Sequence, residues 1–347
     1  MMEDENLTPT LRDIADAAGV SIASVSKVLN SRGGVSDESR RRILGLAEQF
    51  GYQGNRSARS LQRAGVDAAV LVIPTEYYSS SPFYEGVVHG ISEEASASSL
   101  KLDVRLISHV DGQSVMGLDE VLGTHPDAVV AVGMDDAAVI EKIVASDVPA
   151  VLINGMDRTM QLDCAMPDNW SAGWLAARRL LAAGHTRIMH VAMLHRLSMR
   201  RRFDGFRVAL EEAGIGFDRE AHLIDLVDMG LGISQTQRAI KMALQSGRLD
   251  GVSALFCGTD VIALGAMQGL QSEGFHVPKQ MSIIGMDDIA IAAHSRPPLT
   301  TIRIDRVELG RLGIRLLMRR VANPGASVSR INLGVRLIER GTITNRG

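Results

Sequence analysis

The side chains best placed to meet another molecule fall first between Ser21 and Lys27, in the run SIASVSK. Helical periodicity turns Val25, Val28 and Leu29 inward and leaves Ile22, Ala23, Ser24 and Lys27 outside, with Ser21 able to cap the helix. A short helix precedes it. Thr10 can cap that helix, Asp13 can complete a capping box, and Leu11, Ile14, Ala15 and Ala18 form its apolar face. Gly19 permits the left-handed conformation that ends it. A third helix begins near Ser36, turns Ile43, Leu44, Ala47 and Phe50 inward, and stops at Gly51. Two short helices around a three-residue turn, braced by a third, make a helix-turn-helix, whose second helix offers its exposed side chains to the major groove of DNA. Charge agrees. From Leu7 to Arg63 there are nine basic and five acidic residues, a local +4 on a chain of net charge −3. A basic small domain on an acidic body suits phosphate contact by one part alone.

The remainder must hold and control that segment. The chain has 347 residues, 46% hydrophobic and 22% charged, enough for two or three globular domains. Cys164 and Cys257 each lie in or beside an apolar run, so buried free thiols are expected, and no metal-ligand spacing exists. The opening MMEDENLTPT is acidic and polar and does not read as a secretory signal, and the apolar runs are too short to cross a bilayer. Residues 1–9 read as a tail. Residues 53–65 read as a polar, basic connector whose Ala58, Arg59 and Leu61 could share a short helix that needs DNA or a partner to order it.

From Asp67 strands and helices alternate. Strands are expected at 68–74, 102–108, 128–133, 150–155, 187–193, 222–227, 253–258 and 282–288. Helices are expected at 84–98, 114–122, 136–146, 171–183, 201–213, 234–246 and 260–273, with Gly184, Gly214 and Gly274 as C-cap glycines. After Pro297-Pro298 come LTTIRI, a helix near 306–321 and one final strand, INLGVRLI, at 331–338. Repeated strand–helix units imply parallel sheets with right-handed crossovers, and about ten units are too many for one core. The expected fold is therefore an α/β two-lobed core, parallel sheets flanked by helices, behind an N-terminal all-α helix-turn-helix domain. The closing segment crosses back to complete both lobes.

The segment IADAAGVSIASVSKVLN, followed by VSDESRRRI, GYQGN and ARSL, resembles the lactose-repressor and galactose-repressor (LacI/GalR) family of bacterial regulators. The likeness continues through SPFYEGV, DNWSAGWLAARRLLAAGHTRI, RRFDGFRVALEEAGI, GTDVIALGAMQGLQSEGFHVP, MSIIGMDDI, PPLTTIRIDRVELG and RLIERGT, in order over nearly the whole chain. It implies a core like the periplasmic sugar-binding proteins. The implied division is a headpiece at 1–53, a hinge helix or linker at 54–65, one lobe from 66–165 with 305–326, and the other from 166–304 with 327–347. It further implies a homodimer on double-stranded palindromic operator DNA, controlled by a small effector, a sugar or sugar derivative, held between the lobes.

By motif position the base-reading side chains are Ile22, Ala23 and Lys27. The first two can read only shape or thymine methyls, and Lys27 stands where the family usually has arginine. Ser21, Ser24 and Ser26 are phosphate-positioning donors. Ala58 and Leu61 match the minor-groove hinge positions, Leu61 as the wedge that opens a base step, with Asn55 and Arg59 as neighbouring DNA contacts. For the effector, Arg202 aligns with the arginine preceding the family's glycine-aromatic pair. Asp287 opens a strand-end Asp pair, where ligands of open α/β sheets bind. Thr259 replaces a common asparagine, and Asp260 reads as a helix N-cap rather than a contact. Tyr84 and Trp170 could stack on a sugar ring, with plain packing equally open. Arg200 and Arg201 read as solvated surface charge.

Two other classes can be weighed. A solute-binding protein without DNA output would suit the body but not the headpiece. An enzyme is disfavoured: no P-loop, G-x-S-x-G elbow, HExxH or dinucleotide fingerprint occurs, so no catalytic residue, metal or cofactor is assigned. A terminal coiled coil is also missing, which disfavours a tetramer built that way.

Overall fold

The computed structural model describes residues 10–29, 35–50, 66–110, 114–227, 229 and 232–346. It divides into two units, Met1–Ala64 and Gly65–Gly347. In the first, α1 (Leu11–Ala18), α2 (Ile22–Leu29) and α3 (Asp37–Gln49) pack on one another. The Thr10–Asp13 capping box is formed, and Gly19 closes α1 at φ 64°. Ser21 Oγ accepts from Ser24 N at 3.1 Å, so it caps α2. Ile14, Ala15, Ala18, Val25, Val28, Ile43 and Ala47 form the core. Leu44 and Phe50 do not join it: they are 47% and 38% exposed, and Leu46 packs there instead. With Ile43 and Ala47 inward, the 100° step of a helix carries Leu44 off that face, and Phe50 falls past the end of α3. Gly51 and residues 53–65, with Asn55, Ala58, Arg59 and Leu61, lie outside the described residues.

The second unit holds two sheets. It begins β1 (Ala68–Pro74), α4 (Thr75–Ser80), α5 (Pro82–Ala97), β2 (Lys101–Val110), β3 (Ser114–Met116), α6 (Leu118–Gly123) and β4 (Val129–Val132). There follow α7 (Ala137–Ala145), β5 (Ala150–Ile153), β6 (Asp163–Pro167), α8 (Asn169–Ala182), β7 (Ile188–Ala192), α9 (Leu197–Glu212), α10 (Arg219–His222) and β8 (Leu223–Asp225). The chain ends with α11 (Ile233–Gln245), β9 (Ala254–Cys257), α12 (Asp260–Ser272), β10 (Ser282–Asp287), α13 (Ala290–His294), β11 (Thr300–Arg303), α14 (Arg306–Ala322), β12 (Arg330–Leu333) and β13 (Arg336–Ile338). The sheet orders are β12-β6-β5-β4-β1-β2-β3 and β13-β11-β10-β9-β7-β8. Central strands such as AAVLVIP are buried on both faces, each large aliphatic contributing about 2 kcal/mol by removal from water. Cys164 and Cys257 are buried and free.

The chain changes sheets at three places, and two depart from expectation. Asp163–Pro167, which alternation had not marked, is a strand of the first sheet. The single strand expected at 331–338 is two strands: Arg330–Leu333 pairs in parallel with β6, and Arg336–Ile338 pairs antiparallel with β11 of the second sheet. The portion of 327–347 up to Leu333 thus completes the first lobe, not the second. Asp163 explains the pairing, because its buried carboxylate accepts from Arg320 Nε at 2.7 Å, Arg319 Nη2 at 3.2 Å and Ser329 N at 2.6 Å. Those bonds tie α14 and the start of β12 to β6. Residues 114–116, expected in a helix, form β3 against β2 before α6 begins. No helix among the described residues is long and apolar enough to cross a membrane.

Candidate functional site

Two helix crossings position the buried side chains. In the second lobe α8 and α9 meet at glycines: a Cβ on Gly173 would lie 1.8 Å from Arg202 O, and one on Gly205 would lie 2.0 Å from Trp170 O. In the first lobe α5 and α14 meet the same way, at Gly90 and Gly310, with 1.9 Å to Val307 O and 2.2 Å to Val87 O. Backbone contact this close fixes α9, and with it Arg202.

A cavity of about 880 Å³ lies where the C-terminal ends of both sheets converge, among Tyr84, Asp135, Asn154, Arg196, Arg202, Thr259 and Asp287. Open parallel sheets place ligands there. Arg202 is 3% exposed; its Nε donates to Asn169 Oδ1 at 2.9 Å, its Nη1 donates to Gly258 O, and its Nη2 stands 3.7 Å from Asp287 Oδ1. Burial pushes the Asp287 carboxyl up to about 6, with Arg202 and Arg306 acting against it. Asp287 sits at φ 112° and Asp288 at φ 53°, a conformation that side chains other than glycine resist at roughly 1–3 kcal/mol each. Salt links from Arg303 and Arg340 to Asp288 hold the turn in place.

Across the cavity, Arg196 joins the lobes. Its Nη1 donates to Tyr84 Oη at 2.7 Å, its Nη2 donates to Asn154 O at 2.9 Å and lies 3.6 Å from Asp135 Oδ2. Its guanidinium also rests on the Tyr77 ring, 5.4 Å from the centroid. Asn154 Nδ2 donates to Tyr84 Oη at 2.9 Å, and burial pushes the Tyr84 phenol up to about 12 despite Arg196. Asn154 Oδ1 and Asp287 Oδ1 are buried acceptors without a hydrogen-bond partner. Unmatched buried acceptors are costly, so a ligand that brings donors would recover free energy here.

Of the expected effector residues, Tyr84, Arg202, Thr259 and Asp287 line this cavity; Trp170 does not. Trp170 stands in the first turn of α8, 37% exposed. Thr259, not Asp260, caps α12, accepting from Ile262 N at 3.2 Å. Asp260 is buried beneath the site, accepting from Thr301 Oγ1 at 2.6 Å and Ile289 N at 2.9 Å, and burial beside Asp287 raises its pKa well above the ordinary value. Arg200, expected in solvent, is half-buried and donates to His195 O at 2.6 Å and Leu194 O at 3.2 Å; Arg201 is exposed. Arg196, Asn154 and Asp135 had not been singled out. One signal was available: Gly-Met-Asp occurs at 133–135, 155–157 and 285–287, each time at the end of a strand.

In the headpiece, Ile22, Ala23 and Lys27 are exposed on α2, Ile22 at 47%. Ser21 Oγ and Ser24 Oγ lie 2.9 Å apart, half committed to capping. Ser26 is in α2, and its side chain is outside the described set. No cluster that could hold a metal ion occurs among the described residues.

A short helix-turn-helix ahead of a two-lobed α/β unit with a cavity at the strand ends defines a ligand-responsive DNA-binding class. The comparisons agree with that class. The sequence model of "Bacterial regulatory proteins, lacI family" matches residues 10–55, and that of "Periplasmic binding protein-like domain" matches 177–343. The chain is 28% identical to the ribose operon repressor of Haemophilus influenzae over 336 residues, covering 96% of this chain and 98% of that one. It is 29% identical to the transcriptional regulator MalR of Streptomyces coelicolor, covering 97% of each. Among solved structures, a complex of the regulator CelR with cellobiose superposes at TM-score 0.71, 25% identical, over 96% of this chain and 99% of that one. The chain resembles LacI-family regulators over nearly its whole length and is a DNA-binding transcriptional regulator.

Proposed function

We propose that this regulator is a repressor that binds a palindromic operator as a homodimer in the cytoplasm and is switched by a polyhydroxylated effector, a sugar or sugar derivative, held without turnover. The single observation that carries the effector reading is the pair of unpartnered buried acceptors, Asn154 Oδ1 and Asp287 Oδ1, beside the buried guanidinium groups of Arg196 and Arg202. Ligand hydroxyls donate to the first pair and accept from the second. Ser21, Ile22, Ala23, Ser24, Ser26 and Lys27 form the major-groove face, and Asn55, Ala58, Arg59 and Leu61 the hinge contacts. Tyr84, Thr259, Arg202 and Asp287, now with Arg196 and Asn154, form the effector site, whereas Trp170 is left out of it. Because Arg196 bonds across the lobes, effector binding and lobe closure are coupled, and a coupling of about 1–3 kcal/mol suffices to alter operator occupancy.

The test is a thermal-shift screen of sugars, sugar acids and sugar phosphates on the full chain, repeated on Arg202→Gln. A hit should raise the melting point of the native chain and not of the variant, and should change operator retention in a gel shift. A hit that acts equally on Arg202→Gln would place the site elsewhere. Sedimentation showing only monomer, on and off DNA, would remove the dimer.

A further inference from the structure

Beside the effector cavity lies a second pocket of about 590 Å³ whose wall carries five arginines, Arg158, Arg200, Arg201, Arg219 and Arg330, against one carboxylate, Asp204. They come from separate parts of the fold: Arg158 follows β5, Arg200 and Arg201 are in the first turns of α9, Arg219 opens α10 and Arg330 opens β12. A solvated face on one helix would place like charges at helical spacing; this pocket draws them from four chain segments of both lobes. Three of the five are engaged. Arg219 pairs with Asp225 at 3.0 Å, Arg330 donates to Asp157 O, and Arg200 donates to Leu194 O and His195 O. Arg158 and Arg201 make no hydrogen bond or ion pair among the described residues. Met156, Arg158 and Arg200 line both this pocket and the effector cavity, so the two are neighbours sharing a wall.

Like charges gathered in one concavity repel unless an anion joins them, and planar guanidinium donors match the oxygens of a carboxylate or phosphate. Arg200 is already oriented by two carbonyls, which lowers the ordering cost of binding. We infer that this pocket binds the anionic group of the effector, so that the effector is an acidic saccharide, carrying a carboxylate or a phosphate on the hydroxylated body that fills the neighbouring cavity. The inference rests on the effector reading above for the hydroxylated body, and on the arginine pocket alone for the anion.

The test uses inorganic phosphate first, followed by 31P line broadening with the full chain, native and Arg158→Gln/Arg201→Gln. Neither residue has a partner among the described residues, so the variant should melt as the native chain does, and Arg158→Gln alone serves if the pair does not fold. Broadening by the native chain that weakens about tenfold in the variant, and with added chloride, supports the pocket. No broadening, or equal broadening in both, overturns it. The second arm compares neutral sugars with their uronates and phosphates by thermal shift. The acidic member should stabilise more than its neutral parent, and the double variant should erase that difference; a uronate preference names the carboxylate and a phosphate preference the phosphate. Neutral sugars acting as strongly as acidic ones, through Arg202, would overturn this inference and leave the effector reading intact. Phosphate lost in the variant while no saccharide acts at all would keep the anion pocket but overturn the effector reading and, with it, the acidic saccharide.

Discussion

Asp287→Asn separates what the proposed effector site costs from what it does. Asp287 is 4% exposed, and its Oδ1 has no hydrogen bond and only a long approach, 3.7 Å, from Arg202. Its carboxyl is pushed by burial from 3.8 to about 6. A folded value above the unfolded one means that the group's contribution to stability is full below about pH 3.8 and is lost as pH rises through about 6. At roughly 1.4 kcal/mol per pH unit, that gap amounts to about 3 kcal/mol by pH 8. Asparagine reproduces the protonated acid in shape and charge. The variant should therefore be about 3 kcal/mol more stable than the native chain at pH 8, and roughly half that at pH 5. Urea titrations read this directly: with a slope near ~3 kcal/mol per molar, the pH 8 midpoint should rise by about 1 M. The same variant should bind the effector roughly tenfold more weakly, because a neutral amide oxygen accepts a hydroxyl without charge assistance. A variant less stable at pH 8, or a difference that does not change with pH, would refute the burial cost. Undiminished effector response would take Asp287 out of the site. A residue that weakens the fold and strengthens the function is what a binding site in a marginally stable protein should contain.

Effector affinity of the native chain should fall as pH drops below about 6, where Asp287 takes up its proton; calorimetric titration at pH 5 and 8 checks it. Arg196→Met leaves Tyr84, Asn154 and Asp135 without their shared cation and should cost about 3–5 kcal/mol in urea along with effector response. Gly173→Ala forces a Cβ to within 1.8 Å of Arg202 O, so α8 and α9 must part; a loss of about 3 kcal/mol or more is expected, with weaker effector binding, measured by urea titration and thermal shift. Lys27→Ala should lower the slope of operator affinity against salt by about one and leave effector binding unchanged, as gel shifts at several chloride concentrations would show.

Local rules made much of this protein legible. Thr10, Asp13 and Gly19 punctuate α1 by capping chemistry that involves only neighbours in the chain, and the structure has those caps. Buried parallel strands such as 68–74 are continuous apolar runs, so alternation with helices declared two α/β layers. Arg202, Asp287, Thr259 and Tyr84 came from motif position, and all four line one cavity.

What failed were the places decided by partners far away in sequence. Residues 331–338 look like one strand because each half is apolar in alternation, yet hydrogen bonds with Cys164–Pro167 and Thr301–Arg303 send the halves to different sheets. Asp163–Pro167 ends in proline and holds a charged residue, so its strand character depends on Arg319 and Arg320 neutralising that carboxylate. Trp170 had the right chemistry for stacking on a sugar ring, but the close crossing at Gly173 and Gly205 sets its helix so that the ring stays off the cavity. Arg196 reads as one charge among several in HRLSMRRR, and only the fold brings it against Tyr84, Asn154 and Asp135. Sequence alone therefore determined most of the elements, their class and the family resemblance, because caps, periodicity and motifs act over a few residues. Tertiary structure decided which strand completed which lobe, which buried oxygens were left without donors, and where the arginines converged, because those depend on segments that meet only when the chain is folded.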